Sequence, residues 1–253
     1  MGQIICITNL KGGSGKTTTA INLSASLAVA EKKTLLIDCD PQGNATIGLG
    51  FNKKTIINSI YHSIVNNNIN KELILKTELE YLQIIPSKIE LLRAEVRNSS
   101  KKIKEDCIRN LLKAIKKDFD YIIIDTSPSM GILTINSLVA ADSFLVPLPC
   151  EFYALEGFGQ ILKIIKLIKK NFNSDLTMNG TLLTMYNDNE EISKKIAHEV
   201  QKRLKHKVYK TIIPYDRNIK ESPCYGKSLL SINANTNEAN HYFSLANEII
   251  SQK

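Results

Sequence analysis

A run of mostly β-branched residues, Ile4-Ile5-Cys6-Ile7-Thr8, leads directly into Asn9-Leu10-Lys11-Gly12-Gly13-Ser14-Gly15-Lys16-Thr17-Thr18 and then into a helical pattern from Ala20 to Ala30. Strand, glycine-rich turn, Gly-Lys-Thr and helix, in that order, make a cradle for the phosphates of a nucleoside triphosphate. Glycines let consecutive backbone N–H groups turn inward, and the following helix adds the positive end of its dipole. The segment Lys11, Gly12, Gly13, Ser14, Gly15, Lys16, Thr17 and Thr18 is therefore the expected phosphate site. Lys16 is expected to reach the β and γ phosphates and the Thr17 hydroxyl to hold Mg²⁺. A turn that merely joins strand to helix has no need of Lys-Thr at that place.

This loop departs from the commoner form in two ways. The position of the usual first glycine is Leu10, and a second lysine, Lys11, opens the loop. Lys11 cannot easily fold back onto phosphates that its own loop already holds. It is placed to cross to a neighbouring molecule instead.

Along the rest of the chain, apolar runs alternate with helical patterns. Strands are expected at Ile4–Thr8, Thr34–Asp38, Leu82–Ile85, Tyr121–Asp125, Ser143–Pro147, Gly180–Thr184 and Val208–Thr211. Helices are expected at Lys16–Ala30, Lys54–Val65, Lys88–Val96, Lys101–Lys117, Ile132–Ala140, Leu155–Asn171, Glu190–Leu204 and Asn237–Ser251. Continuous Ile/Leu/Val strands are buried on both faces, so the pattern predicts a doubly wound α/β fold with a mostly parallel sheet. No linker, repeat or low-complexity tract divides the sequence, and 253 residues suit one large α/β domain.

Ligands of such sheets bind beyond the carboxyl ends of the strands. Asp38 ends Leu35-Leu36-Ile37-Asp38, Asp40 follows within Asp38-Cys39-Asp40-Pro41-Gln42-Gly43-Asn44, and Asp125 ends Tyr121-Ile122-Ile123-Ile124-Asp125. An apolar strand closed by aspartate, paired with an earlier phosphate loop, is the Walker B pattern, and Asp125 is expected to hold Mg²⁺. Asp40 is expected beside the metal as well, where it would orient or deprotonate the attacking water; the plainer alternative is an Asx-turn before Pro41.

Together these stretches resemble the ParA/MinD ATPases, whose deviant Walker A loop matches Lys11-Gly12-Gly13-Ser14-Gly15-Lys16-Thr17-Thr18. Asp38–Thr46, Ile124–Ser129, Cys150–Gly157 and Leu182–Tyr186 narrow the likeness to the Soj/ParA branch, nearly end to end. The resemblance implies ATP and Mg²⁺ as cofactors, an ATP-sandwich homodimer, non-specific double-stranded DNA binding and slow hydrolysis stimulated by a ParB-type partner. It assigns Lys11 to the partner subunit's nucleotide and Gly12 to a close approach at the dimer interface. Lys16 becomes the phosphate lysine, Thr17 and Asp125 the magnesium residues, and Asp40 the water-activating aspartate. It places Glu151 near the nucleotide and Pro214 on the base-contacting loop. Leu10 and Ser127 replace a commoner Gln and Pro of the branch.

The branch's DNA-contacting arginines are not in place. The relevant stretch reads Ile213-Pro214-Tyr215-Asp216-Arg217-Asn218-Ile219-Lys220, and Tyr186-Asn187-Asp188-Asn189-Glu190-Glu191 holds no arginine. A net charge of +8 permits attraction to a polyanion without identifying one. Lys202, Arg203, Arg217 and Lys220 are the cations expected to replace counterions on DNA phosphates. No helix-turn-helix pattern precedes the phosphate loop, so sequence-specific operator binding is not expected.

Three other readings share this fold. A membrane-cycling ATPase of the MinD type needs a C-terminal amphipathic anchor, whereas 240–253 carries one cation, Lys253. An iron–sulfur carrier needs cysteines paired across a dimer axis, and Cys107 and Cys150 have no such motif around them. A small-molecule kinase or a dethiobiotin-synthetase-like enzyme needs a substrate pocket that no motif here announces. Met1-Gly2-Gln3 lacks the basic start of a secretory signal, and five scattered cysteines suit reduced thiols. The chain is therefore expected to be cytoplasmic, and the DNA binding that the resemblance implies makes it nucleoid-associated.

Overall fold

The computed structural model describes residues 2–93 and 104–252. They build one eight-stranded sheet in the order β3-β4-β2-β5-β1-β6-β7-β8. The strands are β1 Gln3–Ile7, β2 Thr34–Asp38, β3 Leu75–Lys76, β4 Leu82–Ile85, β5 Tyr121–Asp125, β6 Ser143–Pro149, β7 Thr177–Tyr186 and β8 Val208–Pro214. Every pairing is parallel except that of β3 with β4. The helices are α1 Lys16–Val29, α2 Asn44–Gly48, α3 Ile60–Asn66, α4 Cys107–Lys113, α5 Ile132–Ala140, α6 Ala154–Asn171, α7 Glu191–Leu204, α8 Arg217–Glu221, α9 Leu229–Asn233 and α10 Asn237–Ser251.

Burial explains why the strands read as unbroken apolar runs. Every residue of β2, β5 and β6 is buried. Successive side chains point to opposite faces, so Ile4, Cys6, Leu35, Ile37, Ile122 and Ile124 join one core, covered by α3 to α7. Ile5, Ile7, Leu36, Ile123 and Leu145 join the other, covered by α1 and α10. The apolar face of α10, formed by Ala239, Tyr242, Leu245, Ala246 and Ile249, is spent inside this second core.

Sequence and structure differ where side chains compete with backbone. The helix expected over Lys54–Val65 begins only at Ile60, because Asn52 Oδ1 accepts from Lys54 N at 3.0 Å and folds a turn there. Ser59 then caps α3, with its N–H donated to His62 Nδ1 at 3.1 Å. The helix expected over Lys88–Val96 shows a 3₁₀ turn at Ile89–Leu91, and its 94–96 portion lies outside the described residues. That expected over Lys101–Lys117 is reduced to α4 and a 3₁₀ turn at Lys116–Asp118, with 101–103 outside the described residues. The two-residue edge strand β3 and the short helices α2, α8 and α9 were not anticipated. Each is too short to show a period.

The chain runs from β1 to β2, β3 and β4 on one side of the sheet. It returns through β5 and continues beyond β1 as β6, β7 and β8. The order thus reverses around β1, and a ligand crevice belongs at its carboxyl end.

Candidate functional site

The loop after β1 is tied down before it reaches the glycines. Asn9 Nδ2 donates to Pro147 O at 2.6 Å, and Asn9 Oδ1 accepts from Lys11 N at 3.0 Å. Thr184 Oγ1 donates to Ser14 O at 3.1 Å and fixes the far side. Gly13 and Gly15 have φ of 72° and 87°, a left-handed backbone that only glycine adopts without strain. Gly12 needs no such freedom, and a Cβ there would meet nothing within 4 Å in this chain.

The loop walls a cavity of about 560 Å³ lined by Gly12 to Thr18, Asp40, Gln42, Asn44, Ile47, Pro128, Pro223 and Cys224. Three buried oxygens at or behind this wall lack partners. Ser14 Oγ and both carboxylate oxygens of Asp125 are buried without a hydrogen bond of ordinary geometry, although the Thr17 hydroxyl is near enough to Asp125 to favour its charge. Buried polar atoms are rarely left so, and a triphosphate with a divalent cation would satisfy them. Among the described residues no group of three or more His, Cys, Asp or Glu could hold a metal alone. Mg²⁺ takes one or two carboxylates and completes its shell with phosphate and water.

The register sets the acids side by side. Asp38 pairs with Asp125, and Asp125 pairs with Ile7 at the mouth of the loop. Burial pushes the Asp125 carboxyl well above the usual range, and the neighbouring Asp38 adds to it, with Thr17 and Lys16 opposing. Burial raises Asp38 to about 6 despite its hydrogen bonds. Lys16 is buried too; desolvation lowers its pKa, while Asp125 and Asp40 favour its charge. Its Nζ donates to Lys11 O at 3.0 Å, so two of its three protons remain for a ligand.

The acids at the strand ends separate into different tasks. Asp38 Oδ2 accepts from Thr46 N at 2.8 Å and Thr46 Oγ1 at 2.7 Å, and its Oδ1 accepts from Asp40 N at 3.1 Å. It shapes the 39–46 loop and does not line the cavity. Asp40 Oδ1 accepts from Gln42 N at 2.8 Å, the Asx-turn bond, yet Asp40 also lines the cavity. One oxygen fixes the turn, and no hydrogen bond claims the other.

Lys11 Nζ is ion-paired with Glu151 on the loop after β6. The structure thus joins Glu151 to the site, through Lys11 and not by lining the cavity. Pro214, expected on the base-contacting loop, lies elsewhere on the sheet than the cavity wall. It ends β8 beside Tyr186, three strands from β1, and is not in the cavity wall. Pro223 and Cys224 are, and no sequence signal marks them, because a 3₁₀ turn at Ser222–Tyr225 brings them in. This turn is braced against α2: a Cβ on Gly50 (φ 85°) would stand 2.9 Å from Gly226 O. Gly50→Ala is expected to cost about 2–4 kcal/mol from strained φ and overpacking, read as a lower denaturant midpoint; an unchanged midpoint would show that the contact yields freely.

The four expected DNA residues are exposed but do not form one patch. Lys202 and Arg203 end α7, at the amino end of the sheet, while Arg217 and Lys220 follow β8 at its carboxyl end. The length of β8, about 20 Å, separates the pairs. Lys194 and Lys195, at the start of α7, share the carboxyl end with Arg217 and Lys220. Arg203 pairs with Glu199 at 3.1 Å and Arg217 with Glu221 at 2.6 Å, which partly neutralises each.

A family profile described as an AAA domain matches residues 2–178. The chromosome partitioning protein ParA of Myxococcus xanthus is 44% identical over 99% of this chain and 88% of that protein. The chain belongs to the ParA/Soj partitioning ATPase family. The sporulation initiation inhibitor protein Soj of Bacillus subtilis is 43% identical over 98% of both chains. A solved cobyrinic acid a,c-diamide synthase from Mycobacterium smegmatis with bound ADP and magnesium shares the fold, with a TM-score of 0.84, 28% identity, and coverage of 100% of this chain and 95% of that one. The ParA/Soj likeness spans the loop, both strand-end acids and the turn that carries Cys224, so the whole described site lies inside it.

Proposed function

We propose that this chain is a DNA-segregation ATPase: it binds ATP with Mg²⁺ at the loop, dimerises on ATP, holds double-stranded DNA without reading bases, and lets go when a ParB-type partner stimulates hydrolysis. The observation that carries this is the unpartnered set around the loop, namely Ser14 Oγ, the Asp125 carboxylate and the free protons of Lys16. Gly12 to Thr18 would wrap the phosphates, with Thr17, Asp125 and Asp40 on the cation side. Mg²⁺ would supply charge to the γ-phosphoryl oxygens. Asp40 would align a water for attack and take up its proton, while Lys16 stabilises charge developing on the phosphoryl oxygens.

Lys11 supports the dimer. Glu151 holds it in the single chain, and both side chains are about half exposed, at 41% and 50%. Such a pair is worth about 0–1 kcal/mol, so it gives way readily to a triphosphate in a dry interface. Gly12, which nothing in this chain crowds, fits an approach by a second copy. Dimerisation would set two basic surfaces together and raise affinity for DNA through effective concentration. A timer of this kind needs slow basal turnover and a cytoplasmic, nucleoid-bound site of action.

The MinD-type alternative requires a free amphipathic helix, and the apolar face of α10 is buried. Among the described residues no helix is long and apolar enough to cross a membrane. Gel filtration with ATP, with ADP, and with each plus duplex DNA tests the proposal. A dimer with ATP alone and a DNA complex with ATP only are expected; a monomer under every condition would sink it. For DNA, a Lys194→Ala, Lys195→Ala, Lys220→Ala variant should lower the salt slope of log K by about one for each DNA phosphate left without its cation. An unchanged slope would move the DNA surface elsewhere.

A further inference from the structure

The loop that carries Asp40 is gripped a second time, from the stretch that follows α2. Asp40-Pro41-Gln42-Gly43 is a turn closed by Gly43 N donating to Asp40 O at 2.8 Å, and Gln42 N donates to Asp40 Oδ1 at 2.8 Å. Gln42 and Gly43 therefore hold Asp40 by both backbone and side chain. The carbonyl between them, Gln42 O, accepts from Lys53 Nζ at 2.6 Å. The Gln42–Gly43 peptide thus takes a charge-assisted bond at its oxygen and donates to Asp40 from its nitrogen, and the two bonds polarise each other. A Cβ on Gly43 (φ 63°) would stand 2.8 Å from Lys53 Cδ, so the lysine stem lies directly on the turn. Lys53 comes from a backbone that is itself fixed. Asn52 Oδ1 accepts from Lys54 N, and Asn52 O accepts from Thr55 N and Thr55 Oγ1, each at 3.0 Å. Among the described residues no carboxylate pairs with Lys53.

We propose that Lys53 is a positioning residue for ATP hydrolysis: by fixing the Gln42–Gly43 peptide it keeps the Asp40 carboxylate directed at the attacking water. The proposal rests on the ATPase reading above and on Asp40 as the residue that aligns the water. Lys53 is not in the cavity wall, whereas Asp40 and Gln42 are. It therefore acts on the rate through them and leaves nucleotide affinity alone. Asp38 and Thr46 fix the far end of the loop, and Lys53 fixes the turn at its near end. With the lysine truncated, Gln42 O turns to water and Gly43 offers little resistance to rotation of the peptide. The Asp40 carboxylate then loses its fixed direction, and a displacement of about 1 Å can slow a reaction about 10²-fold.

The test measures steady-state phosphate release against ATP concentration, beside equilibrium Mg-ATP binding, on the full chain. Lys53→Ala should lower kcat at least about tenfold, while KM and affinity stay within about threefold of the parent. Lys53→Arg, which keeps a cationic donor on a long stem, should recover at least about a third of the parent kcat. Lys54→Ala, one position on and without a side-chain hydrogen bond, should stay within about twofold of the parent. Adding Lys53→Ala to Asp40→Ala should change the remaining turnover by less than about twofold, because a residue that acts through Asp40 has nothing left to direct. Unchanged kcat in Lys53→Ala, affinity falling in step with kcat, no recovery with arginine, an equal loss in Lys54→Ala, or full additivity with Asp40→Ala would each overturn this proposal and leave the ATPase reading standing. A parent chain that does not turn over ATP would overturn that reading, and the proposal with it.

Discussion

Asp40→Ala should bind Mg-ATP with an affinity within a few-fold of the parent while its turnover falls about 10²–10⁴-fold, the range for removing a positioned general base. The asymmetry follows from where Asp40 sits. Affinity comes from the backbone of Gly12 to Gly15 and from Lys16, none of which leans on the Asp40 side chain. Asp40 reaches the cavity from the loop after β2, and among the described residues its free oxygen is the one carboxylate oxygen in the cavity wall that no hydrogen bond claims. The loop itself should survive the substitution, because Asp38 holds it through Thr46 at 2.7 and 2.8 Å. Losing the bond to Gln42 N removes about 1 kcal/mol, too little to empty the site. Phosphate release measured beside equilibrium nucleotide binding separates the two quantities. Turnover unchanged from the parent would remove Asp40 from the water; affinity falling in step with turnover would make it a binding residue instead.

Lys11→Ala, introduced into the Asp40→Ala background so that ATP persists, should weaken ATP-dependent dimerisation at least about 100-fold, equivalent to about 2.7 kcal/mol. In the single chain Lys11 gives little: its ion pair with Glu151 is half in water and screened. Across a dry interface the same ammonium meets the concentrated charge of a triphosphate, and its attraction grows as the effective dielectric falls. The substitution should therefore leave the monomer's stability within about 0.5 kcal/mol while abolishing assembly. Glu151→Gln should act in the opposite direction, since it frees the lysine without removing it. Sedimentation velocity with ATP across a concentration series reads both. Equal dimerisation in the double variant would show that the lysine serves its own subunit, and the segregation proposal would lose its physical basis.

Much of this was legible in the residues alone. The strand–loop–helix order of 4–30 could be read because a phosphate cradle demands local features at fixed spacing: glycines for left-handed backbone, then lysine and threonine at the helix start. The strands β2, β5 and β6 could be read because burial on both faces writes unbroken apolar runs. Helices α5, α6, α7 and α10 kept their expected positions to within a residue for the same reason, a long period with one buried face. Reading failed where the period is short or absent. Helix α2, five residues long, and the turn at Ser222–Tyr225 leave no pattern, yet they supply Asn44, Ile47, Pro223 and Cys224 to the cavity. Lys202 and Lys220 read alike as cations, although the length of β8 holds them apart.

The phosphate loop, the apolar strands behind it and the acids that end them could be read from residue order alone, because each is written in a short stretch of chain. The folded chain alone reveals that Asp38 braces the 39–46 loop through Thr46, that Glu151 holds Lys11 from 140 positions away, and that Pro223 and Cys224 wall the cavity. Those outcomes depend on contacts between segments that the order of strands brings together, and no local pattern of residues encodes the distance between them.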